Sequence, residues 1–129
     1  RTKTTNRYFN YIYVRMGAHT LIHKRTEDDI WKNLFELPLV ETEKDLSEEE
    51  FLACPQFHAL FAEGEVRMVR ILLRGVKHVL SHRVIYTNFY EVTLPDNSSS
   101  FSSYQRVAVE DLGRYAVPRL IHAFLEKYV

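Results

Sequence analysis

The chain has little of what small disulfide-stapled proteins or membrane proteins depend on. Cys54 is the single cysteine in 129 residues, so no disulfide can form within the chain, and a reducing, cytosolic setting is the simpler expectation. No apolar run approaches the roughly 18 residues that a transmembrane helix needs. The first residues also carry no signal-peptide pattern. We therefore expect a soluble protein without a membrane partner.

Glycine is also sparse, with four residues far apart. A nucleotide-binding loop needs glycines clustered before a helix, so that fingerprint is missing. Cys54 and His58 are spaced to share one helix face, but a zinc site takes about four ligands and no second pair is near in sequence. Ser81 and His82 are adjacent, so on a strand they point to opposite faces and do not form a nucleophile–base pair. We expect no metal site and no catalytic residue in this chain.

Charge of neither sign is in excess, since Lys and Arg total 17 and Asp and Glu total 17. The charges are nevertheless segregated: residues 1–25 contain no acid, residues 41–50 are mainly acidic, and residues 64–88 are mainly basic. Because phosphates respond to local basic surface, DNA binding remains open, but tight binding by this chain alone is not expected. For any single Lys or Arg, the alternative is a solvated strand face.

The apolar pattern predicts one strand-rich domain. The length suits a single core, and hydrophobic residues make up 46% of the chain. The segment 30–36 is predicted to be a buried loop with Trp31 in the core, and 95–100 a flexible loop. The predicted strands are 7–16 and 19–23 as a hairpin around Gly17, then 37–41, 66–74, 78–81, 83–94 and 104–109.

Two helical regions complete the prediction of an α+β sandwich. Ser47 and Glu50 have the spacing of a capping box, which indicates a helix start. Pro55 then predicts either a bend or a break into two short helices. Pro118 is suited to the first turn of a closing helix whose apolar residues face inward.

The most informative stretch lies where one apolar strand ends and the long alternating strand 83–94 begins. Ser81 and His82 there offer a hydroxyl and an imidazole to a planar polar ligand. Lys77, His78 and Arg83 flank them and could contact a DNA backbone. The alternative is an ordinary hairpin with a turn-capping serine and a solvated histidine.

Five sequence blocks occur in a characteristic order along the chain: RYFNY at 7–11, HKR at 23–25, IWKNLFELP at 30–38, KHVLSH at 77–82 and YAVPRLI at 115–121. Together they resemble the C-terminal domain of the MutY family of adenine DNA glycosylases, and their order and spacing match over nearly the whole chain. The resemblance implies a Nudix-like α/β/α sandwich with a mixed, strand-rich sheet and two main helical regions. It also implies that residues 1–129 are one domain of a longer glycosylase whose N-terminal catalytic domain is absent here.

The resemblance implies a role in base excision repair, in which the domain helps recognise 8-oxoguanine opposite the adenine that the N-terminal domain excises. The family's recognition loop reads Phe-Ser-His, which falls on Leu80, Ser81 and His82 here, with leucine in place of phenylalanine. Ser81 would hydrogen-bond the oxidised base, because 8-oxoguanine carries a C8 oxygen acceptor and an N7 donor that guanine lacks. Leu80 would press against bases as an apolar side chain.

The parent enzyme's catalytic residues and iron–sulfur cluster would lie in its N-terminal domain, so this chain would be non-catalytic and hold no cofactor or metal. Its expected partners are double-stranded DNA with 8-oxoguanine:adenine mispairs and that N-terminal domain. We expect a monomer in the bacterial cytoplasm, associated with the nucleoid.

Two alternatives stay open. A Nudix-type nucleotide pyrophosphatase would share the fold, but it needs a glycine-led helix with an Arg-Glu pair before two further glutamates to bind magnesium. Glu48–Glu50 has no such Arg-Glu pair before it, which would leave the metal under-ligated. A non-catalytic protein-interaction module is the other alternative.

Overall fold

The computed structural model of the chain describes residues 4–129, so Arg1 and Lys3 of the basic N-terminal region lie outside the described residues. The strands in this range are β1 (Thr5–Arg15), β2 (His19–Lys24), β3 (Phe35–Glu36), β4 (Leu39–Thr42), β5 (Met68–Val79), β6 (Arg83–Thr93) and β7 (Gln105–Ala108). The helices are α1 (Glu48–Ala53), α2 (Pro55–His58) and α3 (Arg119–Tyr128), with a 3₁₀ helix at Val109–Arg114.

A mixed four-stranded sheet in the order β4-β1-β6-β5 forms the centre of the fold. β1 and β6 are rich in aromatic and β-branched residues, which favour strands. They pair in parallel along their whole length, while β4 and β5 pair antiparallel at the edges. A second sheet has the order β3-β2-β7. The predicted α+β class is confirmed.

The helices cover opposite faces of the central sheet. Successive residues of a strand point to opposite sides, and those of β1 enter two different cores. Phe9 and Tyr11 belong to the cluster that contains Phe124 of α3, whereas Ile12 belongs to the cluster that contains Phe51 of α1. This arrangement is the predicted α/β/α sandwich. We refer to the two sides as the α3 face and the α1 face.

The first helical region follows its sequence signals. Ser47 Oγ accepts a hydrogen bond from Glu50 N at 3.1 Å, and the Glu50 carboxylate accepts one from Ser47 N at 2.9 Å, which is the predicted capping box. The break at Pro55 produces two short helices, α1 and α2. Cys54 lies in extended conformation between them, so the expectation that Cys54 and His58 share a helix face is wrong.

The second helical region is α3, which starts directly after Pro118. Leu120, Ile121 and Phe124 are its buried residues, so the predicted inward-facing apolar stripe is confirmed. Within residues 4–129, none of the helices has the length and apolarity that crossing a bilayer requires.

β5 is one continuous strand where two, over 66–74 and 78–81, were predicted. Gly75 adopts a φ of 70°, and the pairing with β6 shifts register twice, between Ile71 and Leu73 and again between Leu73 and Val76. The side-chain oxygen of Asn88 accepts a hydrogen bond from Gly75 N at 2.8 Å. Because glycine tolerates positive φ, the strand bulges there and continues.

The predicted opening hairpin is limited to a single bridge. Met16 and His19 exchange two backbone hydrogen bonds of 3.0 Å around Gly17, whose φ is 61°. β2 then leaves β1 and pairs with β3 and β7 in the second sheet. The predicted strand 37–41 begins two residues later, as β4, and the end of the segment 30–36, which was predicted to be a loop, forms the short strand β3 instead.

The serine run after β6 forms an irregular loop, as predicted, but a carboxylate organises it. The hydroxyls of Ser98 and Ser100 donate to Glu65 Oε1 at 2.5 and 2.7 Å, and Ser99 N donates to Oε2 at 3.1 Å. These hydrogen bonds lower the pKa of Glu65 to about 2. The local composition of the loop predicted flexibility, because nothing in that composition indicates a hydrogen-bond partner as distant in sequence as Glu65.

Replacing Phe124 by alanine should destabilise the protein more than any surface change on α3. Its ring is buried and stacks on Phe89 at a centroid distance of 4.2 Å and an interplanar angle of 6°. Loss of a buried aromatic side chain costs about 3–5 kcal/mol of unfolding free energy. Urea denaturation of Phe124→Ala would measure this loss, with the exposed Lys127→Ala as control. Equal stability of the two variants would contradict this packing.

Candidate functional site

β5 and β6 are joined by a turn of three residues: Leu80, Ser81 and His82. Leu80 N donates to Arg83 O at 2.8 Å, and His82 O accepts from Thr5 N of β1 at 3.0 Å. The backbone is therefore held both across the hairpin and by the neighbouring strand. Ser81 and His82 are both exposed, so the turn presents a hydroxyl and an imidazole to solvent at one end of the sheet.

The apolar side chain that projects beside Ser81 is Val79, which the sequence analysis missed. Val79 is 66% exposed, whereas Leu80 is partly buried and packs against the α3-face core. Strand alternation carried through to the end of β5 could have found this, because it places Val79 on the open side. Leu80 instead anchors the turn to the fold.

The three flanking residues are placed differently. Lys77 and Arg83 are exposed, so their charges are available to a ligand. His78 is partly buried, with its ring 5.9 Å from the ring of Trp31 at an angle of 64°. Trp31 in turn meets Phe9 edge-on at 6.0 Å and packs against the core, as predicted. His78 therefore supports the hairpin from the α3 face.

The loop that carries Trp31 is fixed by ion pairs. Asp29 accepts two hydrogen bonds from the Arg7 guanidinium at 2.8 and 2.9 Å, and one from Arg25 at 2.9 Å. Arg25 also contacts the buried carboxylate of Glu36 at 3.0 Å. The hydrogen bonds from Arg7 lower the pKa of Asp29 to about 2, against partial desolvation. This network joins β1 and β3 to the loop that carries Trp31, the residue in contact with His78 of the hairpin.

Two buried amides support the hairpin from the α1 face. Asn88 Nδ2 donates to Asn10 Oδ1 at 3.2 Å and to Asp45 Oδ1 at 3.2 Å, while its oxygen accepts from Gly75 N. Buried amides need such partners, because an unpaired polar group in a core costs about 1–3 kcal/mol. The bulge in β5, and with it the approach to the turn, is therefore set by a side chain of β6.

The acidic residues at the start of α1 take part in helix capping. Glu50 is engaged by Ser47, whose backbone and side-chain hydrogen bonds lower the pKa of Glu50. Glu48 and Glu49 are exposed in the same first turn, where acids suit the helix dipole. Across residues 4–129, no group of three or more His, Cys, Asp or Glu side chains is placed to hold a metal ion.

The chain belongs to the NUDIX domain family, whose family model matches residues 10–127. This membership agrees with the mixed sheet between two helical layers described above. No match was found among curated proteins.

Solved structures with the same fold include a C-terminal domain of MUTYH, a MutT protein and a Nudix hydrolase. The C-terminal domain of mouse MUTYH, in complex with human PCNA, superposes with a TM-score of 0.70 and 15% identity, covering 95% of this chain and 86% of that one. A MutT protein from Methanosarcina mazei Go1 gives 0.61 and 17%, covering 98% and 95%. The M. Smegmatis Nudix hydrolase RenU gives 0.59 and 8%, covering 98% and 85%. At these identities, the likeness shows the fold alone.

Stability should depend on pH through Asp29. Its folded pKa of about 2 lies below the ordinary 3.8, so its contribution is fully present above the ordinary value and is lost as pH falls through about 2. Asp29→Asn should lower the melting temperature at neutral pH and reduce its decrease between about pH 5 and about pH 2. The exposed neighbour Asp28→Asn is the control for thermal melts across this range. An unchanged acid response in Asp29→Asn would refute the role of this ion pair.

Proposed function

We propose that this Nudix-family domain is a DNA-lesion recognition module of an adenine DNA glycosylase in base excision repair. It would help recognise 8-oxoguanine opposite the adenine that a separate N-terminal domain excises. The glycosylase chemistry and the iron–sulfur cluster would belong to that N-terminal domain, and the whole protein would work on DNA in the bacterial cytoplasm. The partner DNA would be a duplex containing an 8-oxoguanine:adenine mispair.

The observation that carries this proposal is the exposed Ser81-His82 turn on a rigid support. A serine hydroxyl can donate to the C8 oxygen of 8-oxoguanine or accept from its N7–H, and guanine offers neither group. A turn that reads such a difference must be held in place before the ligand arrives, because ordering it on binding would cost affinity. The hydrogen bond that Thr5 N donates to His82 O, the one that Arg83 O accepts from Leu80 N, and the packing of Leu80 supply that preorganisation.

The geometry also refines how the turn would act. Val79 is the apolar side chain available to press against a base, while Leu80 is partly buried and packs against the core. Lys77 and Arg83 would contact DNA phosphates on either side of the turn. His78 would act through Trp31 as a support of the hairpin, since the two rings are in contact.

The alternatives share the fold but receive less support from the side chains. The Nudix hydrolase RenU has the same architecture, yet no Arg-Glu pair precedes Glu48–Glu50 in this chain to complete a magnesium-binding array. A protein-interaction role is compatible with lesion recognition, and the mouse MUTYH domain is a relative in fold that is seen with a protein partner.

Ser81→Ala in the complete glycosylase to which we assign this domain should reduce the preference for adenine opposite 8-oxoguanine over adenine opposite guanine. The lost hydrogen bond should weaken discrimination by about 1–3 kcal/mol, roughly 5- to 150-fold. Single-turnover adenine excision on the two duplexes measures this preference. We expect the loss to fall on the 8-oxoguanine duplex alone.

The matched control is Ser103→Ala, which removes another exposed hydroxyl far along the chain from the turn. Leu80→Ala is not a suitable companion, because it would also open a gap at the base of the turn. If Ser81→Ala changed both duplexes equally, or neither, Ser81 would be a turn residue and the lesion-recognition proposal would fail.

The isolated chain should not hydrolyse nucleotides. With magnesium and an 8-oxoguanine nucleoside triphosphate, we expect no release of pyrophosphate or phosphate above a protein-free control, because no Arg-Glu pair precedes Glu48–Glu50 to complete the magnesium-binding array. Release that is abolished by Glu48→Gln or Glu49→Gln would instead assign the pyrophosphatase activity to this chain.

A further inference from the structure

Helices α1 and α2 leave one end of the α1 face uncovered. The buried amides Asn10 and Asn88 mark the limit of the covered part, and the strands continue beyond them to the hairpin. The side chains past this limit are exposed or only partly buried. We call this region the open end of the sheet, and it consists of Asn6, Tyr8, Lys77, Val79, Val84 and Tyr86.

Strand register places three hydrogen-bond donors of the open end in one row. Tyr8 of β1 pairs with Tyr86 of β6, and Tyr86 pairs with Lys77 of β5. Paired residues on neighbouring strands point to the same face. Because adjacent strands lie about 4.8 Å apart, the row runs across three strands and spans about 10 Å. Its Lys77 end lies on the same hairpin as the turn at residues 80–82, three residues before Leu80.

The two tyrosine rings stack on each other, with a centroid distance of 5.6 Å and an interplanar angle of 16°. This stack supports the rings and leaves their hydroxyls at the outer end. Neither hydroxyl is a buried atom, and neither has a hydrogen-bond partner among residues 4–129. Thr42, the other neighbour of Tyr8, differs because its hydroxyl already donates to Lys44 O at 2.8 Å.

The charge of the open end suits an anionic partner. None of its six residues is acidic, and Lys77 is exposed. The nearest residue along β6 on the same face, Asn88, contacts Asp45, whose other oxygen is paired with Arg74 at 3.2 Å. The carboxylate bordering the open end is therefore already neutralised by a cation.

We propose that the Tyr8–Tyr86–Lys77 row binds the phosphodiester backbone of a DNA strand beside the base read by Ser81. The inference rests on the proposed function and extends it to a second contact. Hydroxyl and ammonium donors are the usual partners of DNA phosphates, and they fix register without reading sequence. A row about 10 Å long can contact more than one phosphate, since successive phosphates of one DNA strand are spaced about 3.4 Å apart along the helix axis.

The test separates phosphate contact from lesion reading. The double variant Tyr8→Phe/Tyr86→Phe keeps the ring stack and removes both hydroxyls. By fluorescence anisotropy at low salt, the 129-residue chain carrying this change should bind labelled duplex DNA at least about 5-fold more weakly, because two hydrogen bonds from hydroxyl donors to anionic phosphates are lost. The loss should be equal for duplexes with 8-oxoguanine and with guanine, because backbone contacts carry no base information.

Lys77→Ala should act through charge. The plot of log affinity against log salt concentration should lose about one unit of slope, because one fewer phosphate is neutralised. The double phenylalanine variant should keep the slope of the parent chain. The matched controls are Tyr115→Phe, which removes a hydroxyl that contacts Gln105, and Lys127→Ala on α3; neither should change DNA affinity.

The outcomes distinguish this inference from the proposed function. Parent-like affinity in the double phenylalanine variant, or no DNA binding by the parent chain at low salt, would overturn the row as a phosphate contact even if Ser81→Ala abolishes lesion preference. Weakened binding in that variant, with normal preference in Ser81→Ala, would uphold the row and reject lesion reading by the turn. A loss confined to the 8-oxoguanine duplex would also overturn the backbone assignment.

Discussion

The parallel pairing of β1 with β6 is the constraint on which the rest of the structure depends. It joins residues 78 positions apart in the chain, and it holds from Thr5 beside Arg83 to Arg15 beside Thr93. Non-local pairing of this kind carries a large loop-closure cost, which burial of both faces must offset. The same register brings the N-terminal strand against the turn and stacks the tyrosine rings of the open end.

Coverage of the sheet differs between its two ends, and this difference leaves exposed the surface to which we assign DNA contact. The short helices α1 and α2 cover only one end of the α1 face, while α3 and the Trp31 loop cover the other face. The hairpin therefore has a packed side and an open side. Residues of the packed side, such as His78 and Leu80, hold the turn, whereas Ser81, His82 and Val79 are free to meet a ligand.

In this NUDIX-family chain, the acidic first turn of α1 takes part in capping that helix. In α1, Glu50 bonds back to Ser47 and so stabilises the helix end. The residues to which we assign ligand contact lie elsewhere, in the turn between β5 and β6, which is supported by hydrogen bonds and ion pairs. The sequence motif located this turn, because an apolar strand, a polar pair and a long alternating strand follow one another without other turn signals.

The sequence by itself determined the features that depend on near neighbours: the alternation of β1 and β6, the capping box at Ser47, the break at Pro55 and the turn before β6. Only the tertiary structure decided the bulge at Gly75, the departure of β2 into a second sheet and the row that begins at Tyr8. The local sequence determines the hydrophobic period of a strand and the position of a turn. A bulge, or a row of side chains across several strands, also requires a neighbouring strand. That partner is brought from a distant part of the chain by burial, which no local pattern records.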